Sequence, residues 1–557
     1  MTKNKKIFTF DFENNVSDLA ISNNITYVWL WDICDINTLE HITGFKIDDF
    51  ILTLSKLGCC ICYSHNLKYD GSFIIDYLLK NNYVHTMERK LLDKQFRTLI
   101  TSNGVFYSIT VKIKNKTIEF RDSTKKIQGT VEQIAHSFNL PILKGEIDYR
   151  KNRDINYIAT PEEVDYIHND TEIIARVLKM QYDKDMTHLT SAGDTFAKYK
   201  EVYKYYFDLL FPILPYELDT YIRKSYRGGL VLVNEKFKNK IITENVNCYD
   251  VNSMYPFNMV DKILPYGEPI YFKGCYKENV SYPLFIMHIR VDCKLKNDGV
   301  KCIMLDNMRF GKLNYLEDTD GKLIDIYITS VDYDLFIDNY DIYDIEYIDG
   351  YMFKGSRNIF KKYILPIYEL KGKTKGAERQ LYKILLNSLY GKFATNPKRQ
   401  QKIPYLDKDG IVKYINGSIS IDDSIYTAVS SFITSYSRAY LVQNIKKHLN
   451  NFIYCDTDSI HLLNDFLETE LIDDTELGKF KLEKTYVKSK YLGQKCYYGI
   501  KENGEKDVKI AGCPKNVAKN ISFEEFEIDN TFGGKLIPKR VNGGAVLVET
   551  TFTLKNR

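Results

Sequence analysis

Tyr454-Cys455-Asp456-Thr457-Asp458-Ser459 sets two carboxylates two residues apart, between apolar, strand-like Ile453-Tyr454 and Ile460-His461-Leu462-Leu463. Side chains at i and i+2 of an extended segment share a face. The Asp/Thr/Asp/Ser composition also suits the tip of a tight turn. Two acids held side by side repel each other, and a hard divalent cation with oxygen ligands relieves that repulsion. Taken alone, the stretch reads as a solvated hairpin turn whose Asp side chains cap the backbone. Whether it is a metal site depends on what the rest of the chain supplies.

With 557 residues the chain can bury large cores and divides into about three or four domains. Its apolar and charged fractions, 44% and 27%, are those of an ordinary soluble globular protein. A formal charge of +4 neither demands nor excludes a nucleic-acid partner, because a basic groove needs only local clustering. The 44 Tyr and 30 Phe supply flat rings, useful for stacking bases and for packing cores alike. Eleven Cys without a disulfide framework point to a reducing, intracellular setting. Cys59 and Cys62 have C-x-x-C spacing, but no second Cys/His pair with zinc spacing follows, and residues 57–63 read as a buried strand. The basic N-terminus carries no apolar stretch of signal-peptide length, and no 18-residue apolar run could span a membrane.

Residues 1–180 alternate strand-like and helical patterns, with a strand at 7–12 and a helix at 161–180. Asp11-Phe12-Glu13 repeats the same-face i, i+2 pair at the end of that strand. In Tyr63-Ser64-His65-Asn66-Leu67-Lys68-Tyr69-Asp70-Gly71, Asn66 and Asp70 lie one helical turn apart, as do Tyr166 and Asp170 in Tyr166-Ile167-His168-Asn169-Asp170. A two-metal nuclease needs this inventory: about four carboxylates to hold two cations roughly 4 Å apart, and a Tyr to orient water. Each segment alone is structural; their appearance in this order is what carries weight.

These three segments resemble the Exo I, Exo II and Exo III motifs of the 3′–5′ proofreading exonuclease in family B DNA polymerases. The resemblance implies that Asp11, Glu13, Asp70 and Asp170 bind metal and that Tyr166 positions the attacking water. Lys144, in Leu143-Lys144-Gly145-Glu146-Ile147-Asp148-Tyr149, resembles a lysine that assists scission in the protein-primed members. Tyr63, His65, Asn66 and Phe73 match positions that hold the frayed single strand. Asn14 departs from the family's usual Thr after the acid, which implies altered contacts to the primer end.

Asp250-Val251-Asn252-Ser253-Met254-Tyr255-Pro256 resembles motif A of the same family, with a volume-conserving Met for Leu. Asp250 supplies a third acid for the 456/458 pair. The backbone after it, at Val251, would cradle triphosphate and join the metal's ligands, and Tyr255 would lie under the sugar and exclude a 2′-hydroxyl. Lys383-Ile384-Leu385-Leu386-Asn387-Ser388-Leu389-Tyr390-Gly391 resembles motif B without departure. Arg379, Lys383, Asn387 and Tyr390 form one helical stripe, wrong for a core and suited to phosphates and a base pair. Lys371 matches a further triphosphate-binding lysine. Tyr454 to Ser459 then resembles motif C. Lys495-Cys496-Tyr497 resembles the K-x-Y element that steadies the primer terminus. Tyr226-Arg227-Gly228-Gly229 resembles the Y-x-G-G element between the two activities, its glycines letting backbone approach DNA phosphates.

The resemblance spans nearly the whole chain in the family's motif order. Length and two insertions point to the protein-primed replicases of small linear-genome phages. The implied fold is α/β and α+β multidomain: an RNase H-like exonuclease domain, then a right-hand polymerase of palm, fingers and thumb. Its implied boundaries are exonuclease 1–185, palm with Y-x-G-G and motif A 186–260, a first insertion contacting the terminal protein 261–358, fingers 359–396, a second insertion forming a β-hairpin 397–424, palm with motif C 425–480, and palm end and thumb 481–557. The implied activity is template-directed DNA synthesis by two Mg²⁺ ions per site, with Mn²⁺ as a substitute, on primer-template DNA and dNTPs. Asp250 and Asp458 would hold the ions, with Asp456 adjacent. A terminal protein would supply the first hydroxyl, the chain acting as a monomer or as a heterodimer with it in the host cytoplasm. The rivals are a family B enzyme using ordinary 3′-OH primers and a dead DNA-binding relic; the relic conflicts with seven intact acids, Asp11, Glu13, Asp70, Asp170, Asp250, Asp456 and Asp458.

Overall fold

Alternation along the first strand, Lys6–Asn14, explains the layering of the N-terminal region. Phe8, Phe10 and Phe12 point into a core under the helices Ile47–Leu57 and Leu67–Lys80. Ile7 packs on the opposite face, against the helix Pro161–Tyr182, and Asp11 and Glu13 share that face by the period of two. The computed structural model describes residues 5–154, 156–305 and 313–555; residues 1–4 of the basic N-terminus and residues 306–312 of the expected first insertion lie outside them. Lys6–Asn14 sits inside a mixed eight-stranded sheet, antiparallel to Val28–Asp35 and parallel to Cys60–Ser64. The strand expected at 57–63 starts only at Cys60, because the preceding helix runs to Leu57 and closes on Gly58 at φ +98°. Cys60 and Cys62 are buried there with their sulfurs 3.7 Å apart, whereas Cys59 is exposed.

A second sheet has Val246–Val251 at its centre, between Ser459–Leu463 and Phe480–Gly493. The buried helix Thr427–Lys447 packs on it. Residues 261–358 form a four-stranded sheet, Leu264–Lys273, Tyr340–Ser356, Leu284–Leu295 and Ile324–Thr329 in spatial order. This stretch is not an appended module: Met287, Ile289, Val291 and Phe336 share one core with Tyr249, Val251, Leu441 and Ile460.

The region that carries the expected helical stripe holds three helices, Lys361–Lys373, Gly376–Asn387 and Leu389–Phe393. The stripe is therefore not continuous: Arg379, Lys383 and Asn387 are exposed on one helix, opposite buried Leu381 and Leu385, but Ser388 ends that helix and Tyr390 belongs to the next. The hairpin Lys398–Leu406/Val412–Ile421 leans on the first sheet, with Ser102 donating its amide to the Gln400 carbonyl at 2.9 Å. A C-terminal hairpin, Thr531–Val541/Gly544–Thr553, docks on the first domain through Asn542, whose amide donates to Asn24 at 3.0 Å and whose carbonyl accepts from Thr26 at 2.9 Å. Asn542 Nδ2 also donates to the Asp409 carbonyl at 3.2 Å, so the two hairpins and the first sheet close on one another. Among the described residues no helix is long and apolar enough to cross a membrane.

Candidate active sites

Asp456 pairs with Ser459 across the hairpin, which leaves Thr457-Asp458 as a two-residue loop with Thr457 at φ +62°. The stretch is thus the tight turn that its composition suits, with Asp456 ending the strand and Asp458 in the loop, and the two acids stay near enough for the charge of Asp456 to act on Asp458. Asp456 accepts from Lys495 Nζ at 2.6 and 2.8 Å and from the Tyr454 hydroxyl at 3.3 Å. Asp458 instead belongs with Asp250, the last acid of the central strand, and its carbonyl accepts the Val251 amide at 2.8 Å. Burial, then the charge of Asp458, pushes the Asp250 carboxyl up to about 7. Burial, then Asp456, pushes Asp458 up to about 6. Both groups thus lack a full complement of positive charge.

Cations face them from the helical region. Lys383 is near enough to oppose the rise at Asp250. Lys371, whose Nζ donates to Ser253 Oγ at 3.0 Å, is lowered to about 8 by burial and by neighbouring Arg379 and Lys383. Two acids short of cations opposite a lysine short of an anion are charges that a metal-bound triphosphate would complement. Tyr255 and Tyr390 close it, their ring centroids 4.0 Å apart.

The Tyr226-Arg227-Gly228-Gly229 segment acts on this turn directly. A Cβ on Gly229 would lie 2.9 Å from Thr457 Cα, and Thr457 donates its amide to the Leu230 carbonyl at 2.7 Å. Gly229 is therefore required by the turn itself, whereas Gly228 has open space around it. Arg438, 1% exposed, holds the segment by donating to the Gly228 carbonyl at 2.7 Å while paired with Asp332 at 2.6 Å. Sequence reading missed Arg438, whose partners lie far along the chain.

The second acid cluster lines a cleft of about 320 Å³ with Asp11, Glu13, Asp70, Asp170, Lys144 and Tyr166 on its walls. Burial raises all four carboxyls, with their mutual repulsion adding at Asp11 and Glu13. Asp70 reaches about 7 and Glu13 about 8, while Asp11 moves well above the carboxylate range. Lys144 pairs with Asp170 and donates to the Tyr166 hydroxyl at 2.7 Å. Tyr149, quoted in the Lys144 motif but given no role there, has its hydroxyl 2.5 Å from that of Tyr166. Among the described residues Asp170 Oδ1 is buried without a hydrogen-bond partner. Four crowded, charge-starved carboxylates and an orphaned oxygen are a donor set that fits hard divalent cations.

Around this cleft Asn66 is exposed at φ +77°, capping the helix that carries Asp70. His65 lines it with its ring nitrogens 2.9 Å from Ser123 Oγ and 2.8 Å from the Gly129 carbonyl. Two expected strand-holding rings are placed differently. Phe73 is 1% exposed, packed so tightly on the C-terminal hairpin that a Cβ on Gly544 would come within 2.3 Å of its ring. Tyr63 is fully buried, its hydroxyl 2.9 Å from that of Tyr182 and bonded to Arg121. Both rings pack in the core, and Tyr63 also lines the cleft. Asn14, expected to alter contacts to the primer end, spends its amide on Thr26, Tyr69 and the Ala545 carbonyl. Tyr497 is 8% exposed and stacks with Tyr491 beneath the Asp456–Lys495 pair.

Comparison with known proteins accords with this architecture. The chain matches the family described as DNA polymerase type B, organellar and viral, over residues 55–160 and 146–476. It is 36% identical over 585 residues to the DNA polymerase of Bacillus phage phi29, covering 99% of each chain. With the DNA polymerase of Streptococcus phage Cp-1 it shares 34% identity over 574 residues, 98% of each. It is similar to the solved structure of phi29 DNA polymerase with primer-template DNA at a TM-score of 0.93, with 34% identity over 99% of this chain and 100% of that one. The complex that also holds incoming nucleotides gives 0.91, with 35% identity over the same shares. The expected multidomain fold, an exonuclease domain followed by palm, fingers and thumb, is borne out by these matches. The chain belongs to the organellar and viral type B DNA polymerases.

Proposed function

We propose that this chain replicates a linear DNA genome: it begins each strand on a hydroxyl of a terminal protein, extends it with strand displacement, and proofreads it 3′ to 5′. One observation carries the reading. The chain holds two acid clefts of opposite design, one facing cations (Asp250 and Asp458 against Lys371 and Lys383) and one crowded with acids around Lys144 and Tyr166. The first suits a nucleoside triphosphate, the second a water and a phosphodiester. Relatives solved with primer-template DNA and incoming nucleotides support the same substrates here.

Asp250 and Asp458, with the backbone of Val251, would hold the synthetic cations; Asp11, Glu13, Asp70 and Asp170 would hold the hydrolytic ones. Bound Mg²⁺ lowers the pKa of an attacking oxygen and neutralises developing phosphate charge. Lys371, Lys383 and Arg379 grip the triphosphate, and the sugar rests against Tyr255 beside Tyr390. In the second cleft burial and the surrounding carboxylates push the Tyr166 phenol far up, so it stays protonated. It therefore orients water through its O–H and takes no proton. Lys144 fixes that hydroxyl from one side and Tyr149 from the other. Lys495 holds Asp456 beside the primer end.

Incubation with a candidate terminal protein and labelled dATP tests the priming step. Label on the protein is expected; label confined to DNA with a 3′-OH primer would overturn protein priming. Asp458→Ala is expected to abolish incorporation and spare single-strand degradation, and Asp11→Ala with Asp70→Ala to do the reverse.

A further inference from the structure

Asp32, His41 and His168 meet on the outer edge of the first sheet, and each offers one ligand atom within 4.8 Å of the others. We infer that they bind one transition-metal cation of the zinc class, tying the edge strands to the helix Pro161–Tyr182. The site is distinct from the acid cleft, although Asp32 stands opposite Asp11 in the ladder and His168 shares a helix with Asp170.

The charge balance points to a cation. Asp32 has a side chain with no exposure, and among the described residues its ion-pair partners are the two imidazoles, with no Lys or Arg. A buried carboxylate with only titratable partners is short of permanent positive charge. The remaining contacts to Asp32 are hydroxyls, Thr43 at 3.0 Å and Thr171 at 2.6 Å. His41 and His168 stack with ring centroids 4.1 Å apart, an arrangement that two imidazolium ions would oppose.

The geometry is close to that of a ligated site. His41 Nδ1 lies 2.8 Å from Asp32 Oδ2, and His168 Nε2 lies 3.4 Å from Asp32 Oδ1. Ligands of a tetrahedral zinc stand about 3.3 Å apart, since Zn–N and Zn–O bonds are about 2.0–2.1 Å. The ion would displace the proton shared between His41 and Asp32. Glu172 then falls into place: its carboxylate is 3.6 Å from His41 Nε2, an ion-pair distance from which it would favour the proton on that nitrogen and leave Nδ1 to the metal. Thr43 Oγ, 2.8 Å from His168 Nε2, sits where a hydroxyl or water completes the shell. Two imidazoles and one carboxylate favour zinc, cobalt or nickel over magnesium, which prefers oxygen donors. His41 and His168 keep 16% and 28% of their side-chain surface exposed, so the ion has an entry path.

The test is metal content of the full chain, loaded with zinc chloride and dialysed against excess Mg²⁺ so that the acid clefts hold magnesium. About one zinc per chain is expected in the wild type, and none in His41→Gln/His168→Gln, whose dNTP incorporation persists as the sign of folding. Equal zinc in both proteins, or no retained zinc in the wild type, would overturn the site. X-ray absorption of the zinc-loaded wild type does not depend on the variant folding: two imidazole ligands are expected, and a shell of oxygens alone refutes the assignment.

Discussion

Asp250 and Asp458 sit near 7 and 6 instead of the ordinary carboxylate value of about 3.9. A carboxyl raised in the folded state contributes stability that is complete below its unfolded pKa and is lost as pH rises through the folded one, because the unfolded chain gives up its proton first. The EDTA-treated protein is therefore expected to lose melting temperature between about pH 4 and pH 7, and Mg²⁺ to restore more of it the higher the pH. Asp250→Asn should flatten part of that slope and weaken the Mg²⁺ response, as followed by differential scanning calorimetry. An unchanged slope and response in the variant would show that Asp250 is not the titrating ligand. At Gly229 the constraint is steric. A methyl there meets the Thr457 backbone, so Gly229→Ala should displace the Asp458 turn and slow incorporation by roughly 10- to 100-fold. Single-strand degradation by the same variant should stay unchanged in a paired assay.

The helix Thr427–Lys447 carries its decisive side chain, Arg438, inward. Arg438 joins three parts of the chain: Asp332 on the helix Ser330–Asn339, the Arg227 and Gly228 carbonyls, and its own helix. Removing one partner of a buried ion pair strands the other charge, so Arg438→Ala should cost about 3–5 kcal/mol in urea denaturation. Asp332→Ala should cost a similar amount, and the double variant clearly less than the sum. Additive costs would mean that the two residues act separately. The same network ties residues 261–358, which share the core of the second sheet, to the segment packed against the Thr457 turn.

Across the whole molecule the first sheet, the Lys398–Ile421 region and the C-terminal hairpin close on each other at Asn542, which also accepts from Lys80 Nζ at 2.7 Å. Arg540 adds its guanidinium 4.6 Å from the Tyr414 ring centroid. If this closure keeps DNA in place during the strand displacement proposed above, synthesis should become less processive when these contacts are cut. Asn542→Ala with Arg540→Ala is expected to shorten rolling-circle products while leaving single-nucleotide incorporation intact. Full-length products from that variant would detach the closure from processivity.

The sequence by itself determined the chemical inventory: the acids, their order along the chain, and the exposed Arg379, Lys383 and Asn387 face. These are local properties, set by residue type and by the periods of helix and strand. Only the tertiary structure decided what each acid touches. Asp456 meets Lys495 while Asp458 acts on Asp250, across a left-handed turn at Thr457 that Gly229, distant in sequence, leaves room for. The burial of Phe73 and Tyr63 was likewise not legible in the sequence, since burial depends on which surfaces other segments cover. The Asp32–His41–His168 cluster has no motif spacing at all. It exists because an antiparallel ladder and one crossing helix bring three separate segments to a single edge, and long-range packing of that kind is not written in any short window of sequence.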